Sequence, residues 1–256
     1  MFSQYECDII EKGIELSWTT WGKMRDSTLN LGEVCYVKSD SNKGPERIFK
    51  INFSGADIDE KIMKMISYIK AGIMPDSMLI TPGTTPENLA EILSAKGFCI
   101  DASDPCMMLE LCGFSYRQNM NEDIDILALE NDELLRQWVE IVNEALFGYE
   151  LITPDQFKDV HKLDNTHFYL GLLKGIPASA CMTITEGDTS VLEMVATLEK
   201  YRGKGLGTAV ISKALDDLKK LDIKTISLRA EADGVSLYKH LGFKECFKRV
   251  VAAYHR

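Results

Sequence analysis

Apolar residues recur along the chain in two rhythms, one of three to four residues and one of two, and the switches between them mark its elements. Near the start, Ile10, Ile14, Trp18 and Trp21 keep helical spacing. Val34–Val37 and Ile48–Phe53 read as short strands, the second alternating apolar with polar. Ile62, Met65, Ile66, Ile69 and Ile73 line one face of a helix over Ile58–Ile73, and Pro75 marks its end. Met78–Ile80 is a short buried strand. The turn Thr81-Pro82-Gly83-Thr84-Thr85-Pro86 then opens a helix over Glu87–Lys96. Thr85 is placed to cap that helix, Pro86 to take its first position and Gly97 to end it. Met107–Leu111 follows as a strand.

Ser115–Glu122 is polar and has no apolar period, which sets a boundary between domains 1–118 and 119–256. Beyond it, Ile124–Leu129 reads as strand and Leu134–Leu146 as helix, with Leu135, Trp138, Ile141, Val142 and Leu146 on one face. A turn at Phe147–Thr153 leads to a short helix, Pro154–His161. Three strands follow at His167–Leu173, Ala178–Thr185 and Ser190–Leu198. The rest reads as helix (Gly205–Lys219), strand (Lys224–Arg229), helix (Gly234–His240) and strand (Phe243–Tyr254). The order β-α-α-β-β-β-α-β-α-β lacks strict alternation, so it predicts an α/β protein with a mixed sheet and not a barrel.

One short pattern occurs in both halves. Leu93-Ser94-Ala95-Lys96-Gly97-Phe98 and Tyr238-Lys239-His240-Leu241-Gly242-Phe243 each end a helix before a strand. Helices commonly stop at a glycine, so the pattern alone leaves both a shared fold and coincidence open.

Composition narrows the function. The 256 residues are 45% hydrophobic and 27% charged, the balance of a folded chain with room for two domains. A net charge of −10 repels phosphate backbones, so no nucleic-acid partner is expected. No apolar run approaches the roughly 20 residues that span a bilayer, and Met1–Asp8 lacks the pattern of a signal peptide. The seven cysteines include no CxxC and the four histidines no HExxH, so neither a disulfide framework nor a metal site is expected. Cysteines set among apolar neighbours read as core residues of a cytoplasmic protein, with no membrane partner.

The candidate chemistry lies in the second half. Tyr201-Arg202-Gly203-Lys204-Gly205-Leu206-Gly207-Thr208 follows an apolar strand and opens an amphipathic helix. Three glycines at alternate positions leave backbone N–H groups bare at the positive end of the helix dipole, a cradle for phosphate or pyrophosphate. Arg202 and Lys204 add positive charge nearby. No GxxxxGK[ST] string is present, and a GxGxxG counted from Gly203 fails at Thr208.

The string VATLEKYRGKGLGTAV, residues 195–210, resembles the acetyl-CoA loop of the GNAT superfamily of N-acetyltransferases with its preceding strand. SLYKHLGF, residues 236–243, is similar to that superfamily's second motif. Leu237, Tyr238, Gly242 and Phe243 agree with it, while Glu231, Gly234 and His240 stand where Asn, Ala and Lys are usual. The resemblance covers about residues 120–256. It implies a GNAT-like acyltransferase fold, in tandem with a degenerate first half that has no counterpart of the glycine loop and carries Leu93 where the second half has Tyr238.

The resemblance also implies a reaction: an acetyl group moves from acetyl-CoA, as co-substrate, to a primary amine by direct attack in a ternary complex. Gly203, Lys204, Gly205, Leu206, Gly207 and Thr208, with Arg202, would hold the pyrophosphate. Val195, Ala196 and Thr197 match the splayed strand that pairs with the pantetheine arm, and an amide there would polarise the thioester carbonyl. Tyr238 matches the general acid that protonates the departing thiolate. An alkyl ammonium is protonated at neutral pH, so a base is also required. Glu193 is the candidate, placed by strand alternation on one face with Val191, Val195 and Thr197. The family's acceptor region corresponds to Phe147, Tyr149 and Phe157, and the acidic balance favours a cationic acceptor, such as a polyamine, an aminoglycoside or a lysine side chain, with a small-molecule amine as the expected partner. Two other readings stay open: a non-catalytic acyl-CoA-binding regulator, and a protein or peptide N-acetyltransferase whose first domain holds the partner. A homodimer is compatible with either.

Overall fold

The computed structural model describes residues 2–23, 28–30, 32–38, 46–115 and 121–255. In chain order the elements are α1 (Gln4–Lys23), β1 (Thr28–Asn30), β2 (Val34–Val37), β3 (Arg47–Ile51), α2 (Ile58–Lys70), β4 (Ser77–Ile80), α3 (Leu89–Ala95) and β5 (Cys99–Glu110). They continue with β6 (Ile124–Ala128), α4 (Asp132–Val142), α5 (Pro154–His161), β7 (Thr166–Leu173), β8 (Ile176–Glu186), β9 (Thr189–Thr197), α6 (Leu206–Lys220), β10 (Thr225–Arg229), α7 (Val235–His240) and β11 (Lys244–Ala253). From β6 onward this is the order that the apolar rhythm predicts. The fold is mixed α/β. Among the described residues, no helix is long and apolar enough to cross a membrane.

The chain forms two compact units, Met1–Cys106 with Glu245–Arg256, and Met107–Lys244. The boundary expected between 118 and 119 lies outside the described residues. The strand expected to close the second half, β11, pairs antiparallel with β4 and belongs to the first unit.

In the first unit the strand order is β1-β2-β3-β4-β11-β5. Ile62, Met65, Ile66 and Ile69 of α2 are buried with Ile48, Ile51, Met78 and Ile80 of the sheet. Ile14 and Trp18 of α1 pack on Cys35, Val37, Phe49 and Leu79, with the Trp18 and Phe49 rings stacked at 6.3 Å. The helix expected at Glu87 begins at Leu89, after Asn88, and Thr85 does not cap it. The Thr85 backbone is already engaged, its N–H donating to Ile51 O and its carbonyl accepting from Phe53 N–H.

In the second unit β6, β7, β8 and β9 form an antiparallel meander, and α6 carries the chain from β9 to a parallel β10. On one face of the sheet, Tyr169, Cys181 and Leu192 are buried against Val210, Ile211, Ala214 and Leu215 of α6. On the other, Trp138 of α4 packs edge-on to Phe168 at 4.9 Å and against Phe157 of α5 at 5.3 Å. The Trp138 indole N–H donates to Cys181 O at 3.0 Å, which satisfies the one polar atom that this cluster buries. α4 gives way at Asn143 to a π-turn, Asn143–Phe147. The extra residue per turn rotates Leu146 off the apolar face, and it is 40% exposed.

Candidate active site

β9 and β10 are in register only over Thr189–Val191 and Thr225–Ser227. Beyond Val191, β9 continues to Thr197 in register with β8 alone. The cause is local. Ala180 faces Ala196 and Met182 faces Glu193, so one β8 residue, Cys181, opposes two on β9. Met194 absorbs the extra length at φ 52°, a backbone state that costs a residue with a Cβ roughly 1–2 kcal/mol.

This bulge corrects the face assigned to Glu193. Register places Glu193 with Met182 and Ala196 with Ala180, so both lie on the α4 side. Thr197 pairs with Ser179 and faces α6 with it. Simple alternation would have set Glu193 with Thr197 and against Ala196.

The end of β9 is tied down at three points. The fully buried Ser179 hydroxyl donates to Ala196 O at 2.7 Å and bonds the Thr197 hydroxyl at 2.9 Å. Arg202 Nε donates to Thr197 O at 3.2 Å, so part of that guanidinium is committed to the loop. Gly203 and Gly205 then take φ 74° and 90°, turning the chain into α6. No side chain caps α6, which leaves the amides of its first turn uncovered. Residues 202–205 are exposed, while Leu206 is buried and anchors the turn. Lys200 and Lys204 place their ammonium groups 5.1 and 5.2 Å from the centre of the Tyr201 ring.

Tyr238 lies on α7, buried and edge-on to Phe243 at 5.8 Å. Burial raises its phenol well above the ordinary value; Arg229 opposes the rise, while Cys181, Glu193 and Glu231 add to it. Glu193, half-buried on β9, is thus near enough for its charge to act on Tyr238. A Cβ on Gly234 would come within 2.9 Å of Tyr238 Cε2. Glycine at 234, where the second motif usually has Ala, makes room for the ring.

Residues 127–243 match the family described as "Acetyltransferase (GNAT) family". Residues 127–243 form a GNAT domain. The chain is 26% identical over 183 residues to a protein of Glycine max named "Histone acetyltransferase TAP1", covering 69% of this chain and 75% of that one. A GCN5-related N-acetyltransferase from Kribbella flavida superposes with a TM-score of 0.75 at 16% identity, over 97% of this chain and 96% of the other. A "Tandem GNAT protein from the clavulanic acid biosynthesis pathway" superposes with a TM-score of 0.64 at 12% identity, over 96% and 94%. At such identities these two likenesses show the fold alone, and the fold they share takes in both units.

GNAT enzymes use acetyl-CoA, and the residues of this GNAT domain fit it. The uncapped first turn of α6 offers amides to a pyrophosphate. Glycine at 207 lets that turn pack closely, since a Cβ there would stand 3.3 Å from Leu237 and make Leu237 give way.

The remaining predicted residues are spread more widely. Phe147 and Tyr149 flank Gly148, which ends the π-turn at φ 71°. Tyr149 lines an open depression of about 650 Å³ with Arg136, Glu140, Asn143, Glu144 and Glu150, whereas Phe147 does not. Phe157 is fully buried in the aromatic cluster and away from that lining. Glu193 and Tyr238 are not among the lining residues either, although the π-turn packs against β9.

Sequence reasoning passed over three residues that shape this GNAT domain. Ser179 holds the end of β9. Asn143 binds the 148–152 loop, its amide donating to Ile152 O and accepting from the Leu151 and Ile152 N–H groups. Gly234 admits the Tyr238 ring. Only Gly234 left a trace in the sequence, as a departure from the motif.

Proposed function

We propose that the second unit transfers an acetyl group from acetyl-CoA to a primary amine, with both bound together. The reading rests above all on one juxtaposition: the stretch of β9 that has no register with β10 leads straight into the uncapped glycine turn of α6. The amides of Gly203–Thr208 bind the pyrophosphate, supported by Lys204 and the free end of the Arg202 guanidinium. The backbone of Val195, Ala196 and Thr197 aligns the pantetheine arm, and the Ala196 or Thr197 amide stabilises negative charge on the thioester oxygen. Acetyl-CoA supplies an activated acyl carbon with a thiolate leaving group. Tyr238, its phenol kept protonated by burial, gives that thiolate a proton. Glu193 takes the proton of the incoming ammonium through water, or pairs with its charge.

The acceptor is a small cationic amine. Glu140, Glu144 and Glu150 outnumber Arg136 in lining one depression with Tyr149, which suits a positive charge beside an aromatic surface. A protein lysine is the second acceptor class, on the likeness to a protein named as a histone acetyltransferase.

Calorimetry with acetyl-CoA tests the donor site. Gly205→Asp sets a carboxylate beside the pyrophosphate, and like charges about 4 Å apart at an effective dielectric of 20 repel by about 4 kcal/mol, roughly 10³-fold in affinity. Because Gly205 sits at φ 90°, Gly205→Asn is the control that shares the backbone strain without the charge. Equal affinities for the two variants would remove the cradle. Thiol release with polyamines, aminoglycosides and lysine peptides then identifies the acceptor, and no turnover with any of them would favour a non-catalytic binder.

A further inference from the structure

The two units repeat one arrangement. In each, a helix crosses over between two parallel strands, β3-α2-β4 in the first and β9-α6-β10 in the second. The next helix in each ends in the same glycine turn. Phe98 N–H donates to Leu93 O at 3.1 Å and Phe243 N–H to Tyr238 O at 3.0 Å, with Gly97 and Gly242 at φ 89° and 97°. Both units thus run strand, helix, parallel strand, helix, which sets the turn before α2 against the turn before α6.

Neither helix has a side chain capping its first amides, but the loops that lead into them are held differently. Before α2, the Glu33 carboxylate accepts from Ser54 N–H at 2.9 Å, from the Ser54 hydroxyl at 3.1 Å and from Lys61 Nζ at 2.9 Å. The chain's own carboxylate thus pins the loop ahead of Ile58, where α2 begins.

The strand pair shows the same contrast. β3 and β4 are in register only at Ile48 and Met78, so they diverge as β9 and β10 do. In the first unit the gap is closed again further along. Thr85 N–H donates to Ile51 O at 3.2 Å, and Phe53 N–H donates to Thr85 O at 3.1 Å. These are the strand-edge groups that a pantetheine arm would use. Glu11 of α1 closes the next turn, accepting from the Thr81 hydroxyl at 2.6 Å and from Gly83 N–H at 2.7 Å. The fit is so close that a Cβ on Gly83 would stand 2.2 Å from Glu11 Oε2.

We infer that the first unit's counterpart of the donor site is closed by the chain itself, with the Thr85 backbone in place of the pantetheine arm and Glu33 pinning the loop ahead of α2, so that each chain binds one acyl-CoA. The inference rests on the reading of residues 195–208 as the donor site of the second unit.

Native mass spectrometry with CoA, read beside hydrogen exchange on the same complex, tests it. One CoA per chain is expected, with protection over residues 195–208 and none over 48–57 or 81–85. A second CoA, or protection at 48–57 and 81–85, would overturn it. A chain that binds no CoA leaves the first unit's closure standing and removes the donor site proposed for the second, so the two failures are distinct. Glu33→Gln should speed exchange over 52–61 at least tenfold while kcat/KM for acetyl-CoA stays unchanged. Unchanged exchange there would show that Glu33 does not hold the turn. Should that variant not fold, the CoA count and exchange map of the unaltered protein still decide.

Discussion

A ring that leans over a glycine depends on what the glycine lacks. Gly234→Ala leaves the backbone at an ordinary φ of −86° but forces the Tyr238 ring to move, and displacement of a reacting group by a fraction of an ångström is costly. The expected outcome is a kcat lowered about tenfold with little change in thermal stability, checked by steady-state kinetics and a melting curve. Tyr238→Phe keeps the ring and removes the proton. It should lower kcat by about 10²–10⁴-fold. Acetyl-CoA affinity should shift by less than about 1.5 kcal/mol, the net worth of one hydrogen bond. A wild-type kcat in Tyr238→Phe would make the residue a core aromatic only. At this scale Tyr238 was legible through its motif. The space beside it was not, because a glycine's reason exists only once the ring is placed.

Strand β9 shows where periodicity stops being a guide. Val191–Leu198 is nearly all apolar, so nothing in it marks the bulge at Met194, and one added residue reverses every face assignment across it. The π-turn after α4 hid in the same way, since Leu146 continues the helical spacing while pointing outward. Thr85-Pro86 has the composition of a helix start, yet the Thr85 backbone is spent on β3. The positions of the strands and helices of the second half were legible, because each buries one regular face. Ser179 was not, because nothing in the sequence sets it apart from Thr183 and Thr185 in the same strand. Ser179→Ala would leave the Ala196 carbonyl and the Thr197 hydroxyl each without that partner, at a cost of about 1–3 kcal/mol. Urea denaturation should show that loss, and KM for acetyl-CoA should rise more than kcat falls; an unchanged KM would mean that the end of β9 holds its shape without the serine.

At the scale of the whole molecule, burial sets an alkaline limit. It raises the phenols of both Tyr169 and Tyr238, with Asp217 adding to the rise at Tyr169. Unfolded tyrosines ionise near pH 10. Since the folded values lie higher, the stability these groups contribute is complete below about pH 10 and is lost as pH climbs towards the folded values. The urea midpoint should therefore fall between pH 9 and pH 11, and fall less in Tyr238→Phe. A midpoint flat across that window would contradict the burial of both hydroxyls. The Gly-Phe helix endings of both halves were legible, but no residue pattern announced that the last strand pairs with β4.

That pairing has a consequence in time. Residues 245–253 leave the ribosome after everything from 1 to 244, and they supply the strand between β4 and β5 of the first unit. Domains usually fold in the order of their synthesis. Here the unit whose residues are made first is completed last, and the GNAT domain has its full set of residues while its neighbour is still one interior strand short. Nascent chains arrested with residue 244 just emerged should therefore bind acetyl-CoA before the first unit resists protease.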